Sequence, residues 1–184
     1  MANKIKYGLR NVYYAVATEG SGGALTYATP VAIPGGVNLS LSAEGETNPF
    51  YADDVIYFQS TSNNGYSGSL EVALIPESFK TDVLGETTNA SGVNVEKSNV
   101  TPKEFALLFE FQGDDKASRH ALLRCSCTRP DVAGATKEAG IEPQTETLNI
   151  TAMPRINDYV VKASCPQTAS TAYTAWYSAV VTVS

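Results

Sequence analysis

Residues 63–85 read NNGYSGSLEVALIPESFKTDVLG, and a turn, a strand and a helix are all signalled inside them. Asn64-Gly65 supplies the positive backbone angles of a tight hairpin turn, and Ser69 to Ile75 then run extended with Leu70, Val72 and Leu74 on one face. Pro76 stands at a first helical position, Phe79 and Val83 lie four residues apart, and Gly85 is a C-terminal stop, so the spacing predicts a helix over 76–84. Elsewhere the chain reads as strand, turn or loop. The expected body is mainly β, with this one short helix laid against it.

Upstream the pattern is one of strands and breaks. LRNVYYAVA at 9–17 sets Val12, Tyr14 and Val16 on one side of a strand. EGSGGA at 19–24 turns, residues 25–33 form a short extended piece interrupted by Pro30, and Pro34-Gly35-Gly36 breaks the chain again. Val37, Leu39, Leu41 and Ala43 then alternate with Asn38, Ser40, Ser42 and Glu44, the pattern of a strand with one buried face. EGETNPFYADD at 44–54 is too polar and broken for a strand and is expected to be a long exposed loop. VIYFQS at 55–60 is apolar on both faces and needs cover on both sides. It is expected to pair, through Asn64-Gly65, with the strand from Ser69.

Downstream, 86–101 is polar and reads as a loop or small hairpin. Phe105, Leu107, Phe109 and Phe111 alternate with Ala106, Leu108, Glu110 and Gln112, and Gly113-Asp114-Asp115 turns the chain into a strand over 119–128. A loop over 131–140 leads to a strand at 147–153 with Leu148, Ile150 and Ala152 inward. Past Pro154, Ser, Thr and Ala crowd 163–175 before the apolar piece that holds Trp176, Tyr177, Val180 and Val181. The start of that tail has too little apolar surface to fold alone. The expected organisation is a body over 1–155 and an arm over 156–184, docked on its own body or on a neighbouring subunit.

Charged residues are 17% of the 184, against a usual ~25%. Ser, Thr, Asn and Gly fill the polar positions instead, and they enter contacts at lower desolvation cost than Lys or Glu. Surfaces meant for other proteins have this composition, and so do secreted β domains. A net charge of −6 argues against a protein held to nucleic acid through phosphates. The opening MANKIKYGLRN lacks the apolar run of a leader, and no segment nears the ~18 apolar residues of a membrane span, so cytoplasmic synthesis and no membrane binding are expected.

Reactive chemistry is not signalled. There is no glycine-rich phosphate cradle, no His-Glu-X-X-His and no Gly-X-Ser-X-Gly. Cys125, Cys127 and Cys165 are odd in number; the first two share a strand face with Ala121 and Leu123 and read as buried free thiols. One histidine, His120, lies mid-strand, too few ligands for zinc. Asp53-Asp54 and Asp114-Asp115 stand at turns, where Asp is favoured locally, and neighbours on a strand point apart, so neither pair converges for acid–base work. Four glycosylation triplets, at Asn38, Asn89, Asn99 and Asn149, are chance matches without a leader.

Several long stretches carry a family likeness: KIKYGLRNVYYAV, FYADDVIYF followed by residues 63–85, PKEFALLFEFQGDDKASRHAL, EPQTETLNITAMPR and the ending AYTAWYSAVV. In these the chain resembles the major tail proteins that build the tail tube of long-tailed bacteriophages and related prophages. The resemblance implies a β-sandwich- or barrel-like fold with one flanking helix. It also implies hexameric rings stacked into a tube, the conduit for DNA ejection, located in the virion tail after synthesis in the host cytoplasm. The implied partners are copies of the chain itself and the tape measure, tail terminator and distal tail proteins, with DNA passing through unbound. No catalytic residue, cofactor or metal is implied. A rival class is a β-sandwich binding module of carbohydrate or adhesin type, which calls for an aromatic-lined pocket. An enzyme calls for convergent titratable groups.

For a tube, an open strand edge in one subunit pairs with the next, and a head-to-tail contact that does not close propagates as a filament. Val55, Ile56, Tyr57, Phe58 and Tyr66 are expected in a hairpin that borders the channel and makes the ring contacts. Ile56 and Phe58 are expected on one face and Val55 and Tyr57 on the other, one set in the subunit core. Trp176 and Tyr177 are the expected arm contacts.

Overall fold

Alternating apolar runs become most of the strands in the computed structural model of the chain, which describes residues 5–113, 117–136 and 143–182, with backbone alone at Ser170. In chain order these are β1 (Leu9–Glu19), β2 (Leu25–Tyr27), β3 (Val31–Ala32), β4 (Gly36–Glu44), β5 (Thr47–Ala52), β6 (Val55–Thr61) and β7 (Gly65–Val72). Helix α1 (Glu77–Asp82) follows, then β8 (Thr87–Thr88), β9 (Asn94–Val95), β10 (Phe105–Phe111), β11 (Arg119–Cys127), β12 (Glu146–Ala152), β13 (Lys162–Cys165) and α2 (Ser170–Ala175). The fold is mainly β, as the sequence pattern predicts, and sandwich-like, as the family resemblance implies, with two short α-helices among the described residues rather than one.

One antiparallel sheet runs β2-β1-β10-β11-β12-β7-β4. β3 adds to β1, and β13 shares an edge of β11 with β12, taking Arg119–Leu122 while β12 takes Cys125–Cys127. The sheet curls back on itself. Gly36, opening β4, lies against Leu9 and Val12 of β1, and a Cβ there would stand 3.0 Å from Val12 Cγ2.

β10 shows why both faces of this sheet need cover. Phe105, Leu107 and Phe109 face a core with Tyr14, Leu70, Val72, Leu122, Leu148 and Ile150, into which α1 inserts Phe79 and Val83. The Phe79 ring meets Tyr14 edge-on at 5.0 Å and Phe105 at 5.4 Å, and its full burial contributes about 1.5–3 kcal/mol. Ala106 and Leu108 face a second core, roofed by the C-terminal segment with Trp176, Val180 and the partly buried Tyr173 and Tyr177. Helix α1 sits within the expected range. Pro76 is extended, φ −61° and ψ 143°, and caps the helix rather than opening it, while Gly85 at φ 75° ends it as read.

The second helix was not signalled: STAYTA has no apolar periodicity of its own. β11 departs from strict alternation. Its register against β10 shifts, so Cys125 and Cys127 join the first core while Ala121 and Leu123 face the second.

The main correction concerns residues 44–74. β6 pairs with β5, not with β7, and the expected loop at 44–54 is largely strand. The turn that joins them is Asp53-Asp54, at φ 52° and 62°, the two positive angles of a type I′ hairpin. Gly65, at φ 108°, does not make a tight turn; it opens β7, where a Cβ would come within 1.9 Å of the Ala152 carbonyl oxygen. β7 lies between β4 and β12, burying Leu70 and Val72, and ends before Leu74, which is exposed.

Candidate assembly surface

Strands β4 and β7 pair out to Glu44 and Gly65, and the same ladder continues outward. Asn64 N–H donates to the Glu44 carbonyl at 2.8 Å, Ser62 N–H to that of Glu46 at 2.9 Å, and β5 and β6 then pair from Thr47–Thr61 to Ala52–Val55. Residues 36–72 thus form one long hairpin. Its inner half belongs to the sheet; in its outer half, 45–64, every residue except the half-buried Ala52 is exposed.

That outer half carries Phe50, Tyr51, Val55, Ile56, Tyr57 and Phe58, between 53% and 73% exposed. None of the four residues at 55–58 packs in the subunit core, against the expectation that one set would. The pairing register skips Tyr57, a β-bulge, so Phe58 shares a face with Phe50 while Ile56 shares the other with Tyr51. Both faces are therefore apolar. A patch of this kind marks a surface that meets another protein, a membrane or a ligand. The hairpin's charges, Glu46, Asp53 and Asp54, are all acidic, and no Lys or Arg occurs anywhere from 11 to 79.

Tyr66 stands at the hairpin's root rather than on its free part. It is half-buried against the first core, and its hydroxyl lies 3.4 Å from Lys162 Nζ. Phe50 and Tyr51 were hidden within a stretch read as loop. The signal that finds them is two apolar quartets, PFYA and VIYF, flanking a two-residue turn.

Trp176 and Tyr177 dock on their own body. Trp176 is buried, with its indole N–H donating to the His120 carbonyl at 3.4 Å, and Tyr177 stacks on Tyr13 at 4.6 Å between centroids. Tyr177 also donates its hydroxyl to Glu110, 3.2 Å away. Glu110 is buried and is the hub here: it accepts from Asn11 at 2.7 Å, Arg10 at 2.8 Å and Arg119 at 3.0 Å. Burial pushes its carboxyl up, but Arg119, Asn11, Arg10 and Tyr177 outweigh that and hold it below the usual range. The Arg119 guanidinium lies over the Tyr173 and Tyr177 rings and donates to the Tyr173 carbonyl. Sequence reading missed this hub because Glu110 occupies an even position of β10 that pattern alone marks as solvent-facing.

The groups considered for chemistry are scattered. Cys125 and Cys127 are buried, and burial pushes both thiols up, Cys127 to about 11. His120 stacks on Phe109, 5.4 Å between centroids. Asp53 and Asp54 form the hairpin tip, and Asp114-Asp115 lie outside the described residues. Among the described residues no cluster of three metal-ligating side chains occurs, and no helix is long and apolar enough to cross a membrane. A groove of about 440 Å³ between Leu25–Thr29 and Ser178–Thr182 has Tyr27 as its one aromatic wall.

The arrangement is that of a β protein whose sheet is covered on both faces over β1, β10 and β11, with an uncovered apolar hairpin reaching away from the body. A family description, "Phage tail tube protein", matches residues 2–119, and the chain belongs to that family. Its role is structural, in the virion tail. Among curated proteins no match is found.

Proposed function

We propose that copies of this chain close into hexameric rings that stack into the tail tube, and that the bore of this tube is the conduit for DNA ejection. The observation that carries the reading is the projecting hairpin, apolar on both faces and built on the same ladder as the body. Its outer half extends for nine residues, Gly45 to Asp53, which at ~3.4 Å each reaches about 30 Å. A chain of this length has a radius of gyration of about 16 Å. The hairpin is therefore long enough to reach over much of a neighbouring subunit. A contact in which hairpin meets body is heterologous, so it closes into rings or propagates as a filament, and a tube needs both.

The hexamer rests on the family likeness. So do the further partners: tape measure, tail terminator and distal tail proteins, with DNA passing without specific binding. The net charge of −6 supports the last point, since fixed cations would hold phosphates. Synthesis in the host cytoplasm belongs to the same reading, in which the chain acts as a scaffold and not as an enzyme.

Negative-stain microscopy of purified protein is the direct test. Tubes with six-fold end views are expected. Discrete monomers at all concentrations would count against it.

A further inference from the structure

We propose that β6 of one copy adds, by its outer edge, to the free edge of β2 in another copy, an inference that rests on the tube reading above and names where the hairpin is received. β2 ends the sheet, with β1 on one side only. Ala28 N–H donates to the Val16 carbonyl and Gly20 N–H to that of Ala24, so residues 24, 26 and 28 turn their backbone groups to β1 while Leu25, Tyr27 and Thr29 turn theirs away. Among the described residues no backbone group meets them. A free edge is ordinarily blunted by Lys, proline or a bulge; Leu25 to Thr29 have none of these.

The edge opens into the groove of about 440 Å³, whose two walls are unbroken runs of residues, Leu25–Thr29 and Ser178–Thr182. A sheet face would offer alternate residues to a groove, so an unbroken run means that backbone lines it. The far wall is irregular backbone at Val180 to Thr182, whose N–H and carbonyl groups have no backbone partner among the described residues. This is the form of a slot that lacks a strand. Arg155 and Asn157 close one end of it, and between them Ile156 packs on Gly23, just before β2. Buried Arg155 pairs with Asp158, which also accepts from Val160 N–H at 3.2 Å. The braced loop holds Tyr159 at φ 59°, a strained angle for a bulky residue, with Tyr159 81% exposed and Ile156 53%. A rigid loop that presents apolar side chains to solvent is preorganised for a contact.

The occupant must be extended, have an unblocked edge and carry apolar side chains that need cover. The outer half of the hairpin meets all three requirements, and its register decides between its two edges. Ser62 N–H donates to the Glu46 carbonyl and the pairing continues through Asn48–Ser60, so residues 47 and 49 of β5 and residues 59 and 61 of β6 turn outward. Position 49 is proline, with no N–H to donate, whereas β6 is free of proline and of charge from Val55 to Thr61.

Hydrogen exchange on the wild-type chain tests the pairing. The amides of Leu25, Tyr27, Thr29, Gln59 and Thr61 should exchange freely in monomers and at least about tenfold more slowly in tubes. Unchanged exchange of the β2 amides in tubes would overturn the inference. The partner strand is identified by mixing two single-cysteine chains, Gln59→Cys with Thr26→Cys, and treating tubes with a short bifunctional maleimide, because the native thiols are all buried. Cross-linked pairs are expected in tubes and not in monomers at the same dilution. No cross-link to Thr26→Cys, or cross-linking to Ser40→Cys on the free edge of β4 in its place, would overturn the inference too. A cysteine chain that does not assemble alone is carried in tubes with added wild type, and the same outcomes apply. Failure of the wild-type chain to form tubes would instead remove the tube reading, and this inference with it.

Discussion

Replacing Phe58 or Ile56 by Asp separates folding from assembly. Phe58 is 62% exposed and Ile56 53%, on opposite faces of the hairpin. Neither contributes to the core, so the stability of the isolated subunit should change by less than about 0.5 kcal/mol. On the proposed assembly the same side chains become covered. A Phe side chain offers ~200 Å²; with 62% free in the monomer, about 120 Å² remains to be buried, worth about 3 kcal/mol at ~25 cal/mol per Å². Each 1.4 kcal/mol is a factor of ten in affinity, so loss of the ring alone should raise the concentration needed for tubes by about a hundredfold. The buried aspartate adds further cost. Urea unfolding of the monomer, read beside pelleting and microscopy over a concentration series, measures both quantities. Phe58→Asp protein that unfolds like wild type and forms tubes at the wild-type concentration would refute the reasoning; so would protein that no longer folds.

Trp176→Ala should lower subunit stability by about 3–5 kcal/mol in urea, and truncation after Pro154 should leave no stable body, because both remove the roof of the second core. Glu110→Gln leaves Arg10 and Arg119 without their carboxylate; because Arg10 is half exposed, a loss near the lower end of ~3–5 kcal/mol is expected. The sign with pH follows from the lowered folded-state value. Glu110 contributes fully above its ordinary 4.5, and that contribution is lost as pH falls through the lower folded value, so wild type should lose stability on acidification more steeply than Glu110→Gln, as read by thermal melts from pH 6 to about 3. Replacing 45–64 by a two-residue turn should give a folded subunit that forms no tubes. Added in small amounts it should also stop growth of wild-type tubes, as it keeps the surface that receives a hairpin, and turbidity measures this.

The parts legible in the sequence are those whose pattern is set by burial within the subunit. β10, β12 and α1 follow from Phe105–Phe111, Leu148–Ala152 and the Phe79/Val83 pair, because a core imposes period on what it covers. The strand at 55–60 was visible as well, but its pairing was not. Period identifies a strand and not its neighbour, and Asn64-Gly65 is a stronger hairpin signal in composition than Asp53-Asp54. β5 was hidden by Pro49 and by polar flanks, which a free hairpin tolerates because neither of its outer edges donates to a ladder. Apolarity on both faces of Val55–Phe58 reports cover that a single subunit does not supply. The tail was ambiguous because Ser, Thr and Ala give no period, and its docking depends on Glu110 and Arg119, which are distant in sequence.

The continuous ladder also governs how the molecule bears force. A pull on the Asp53-Asp54 tip runs along β5 and β6 straight into β4 and β7, parallel to the strands. β7 is bonded to β12 from Tyr66–Ala152 to Val72–Glu146, so the load falls on all of these bonds together as shear and cannot open them one at a time as a zipper would. A tube under tension or bending is then expected to yield first at contacts between subunits, leaving the hairpins rooted and the subunits intact.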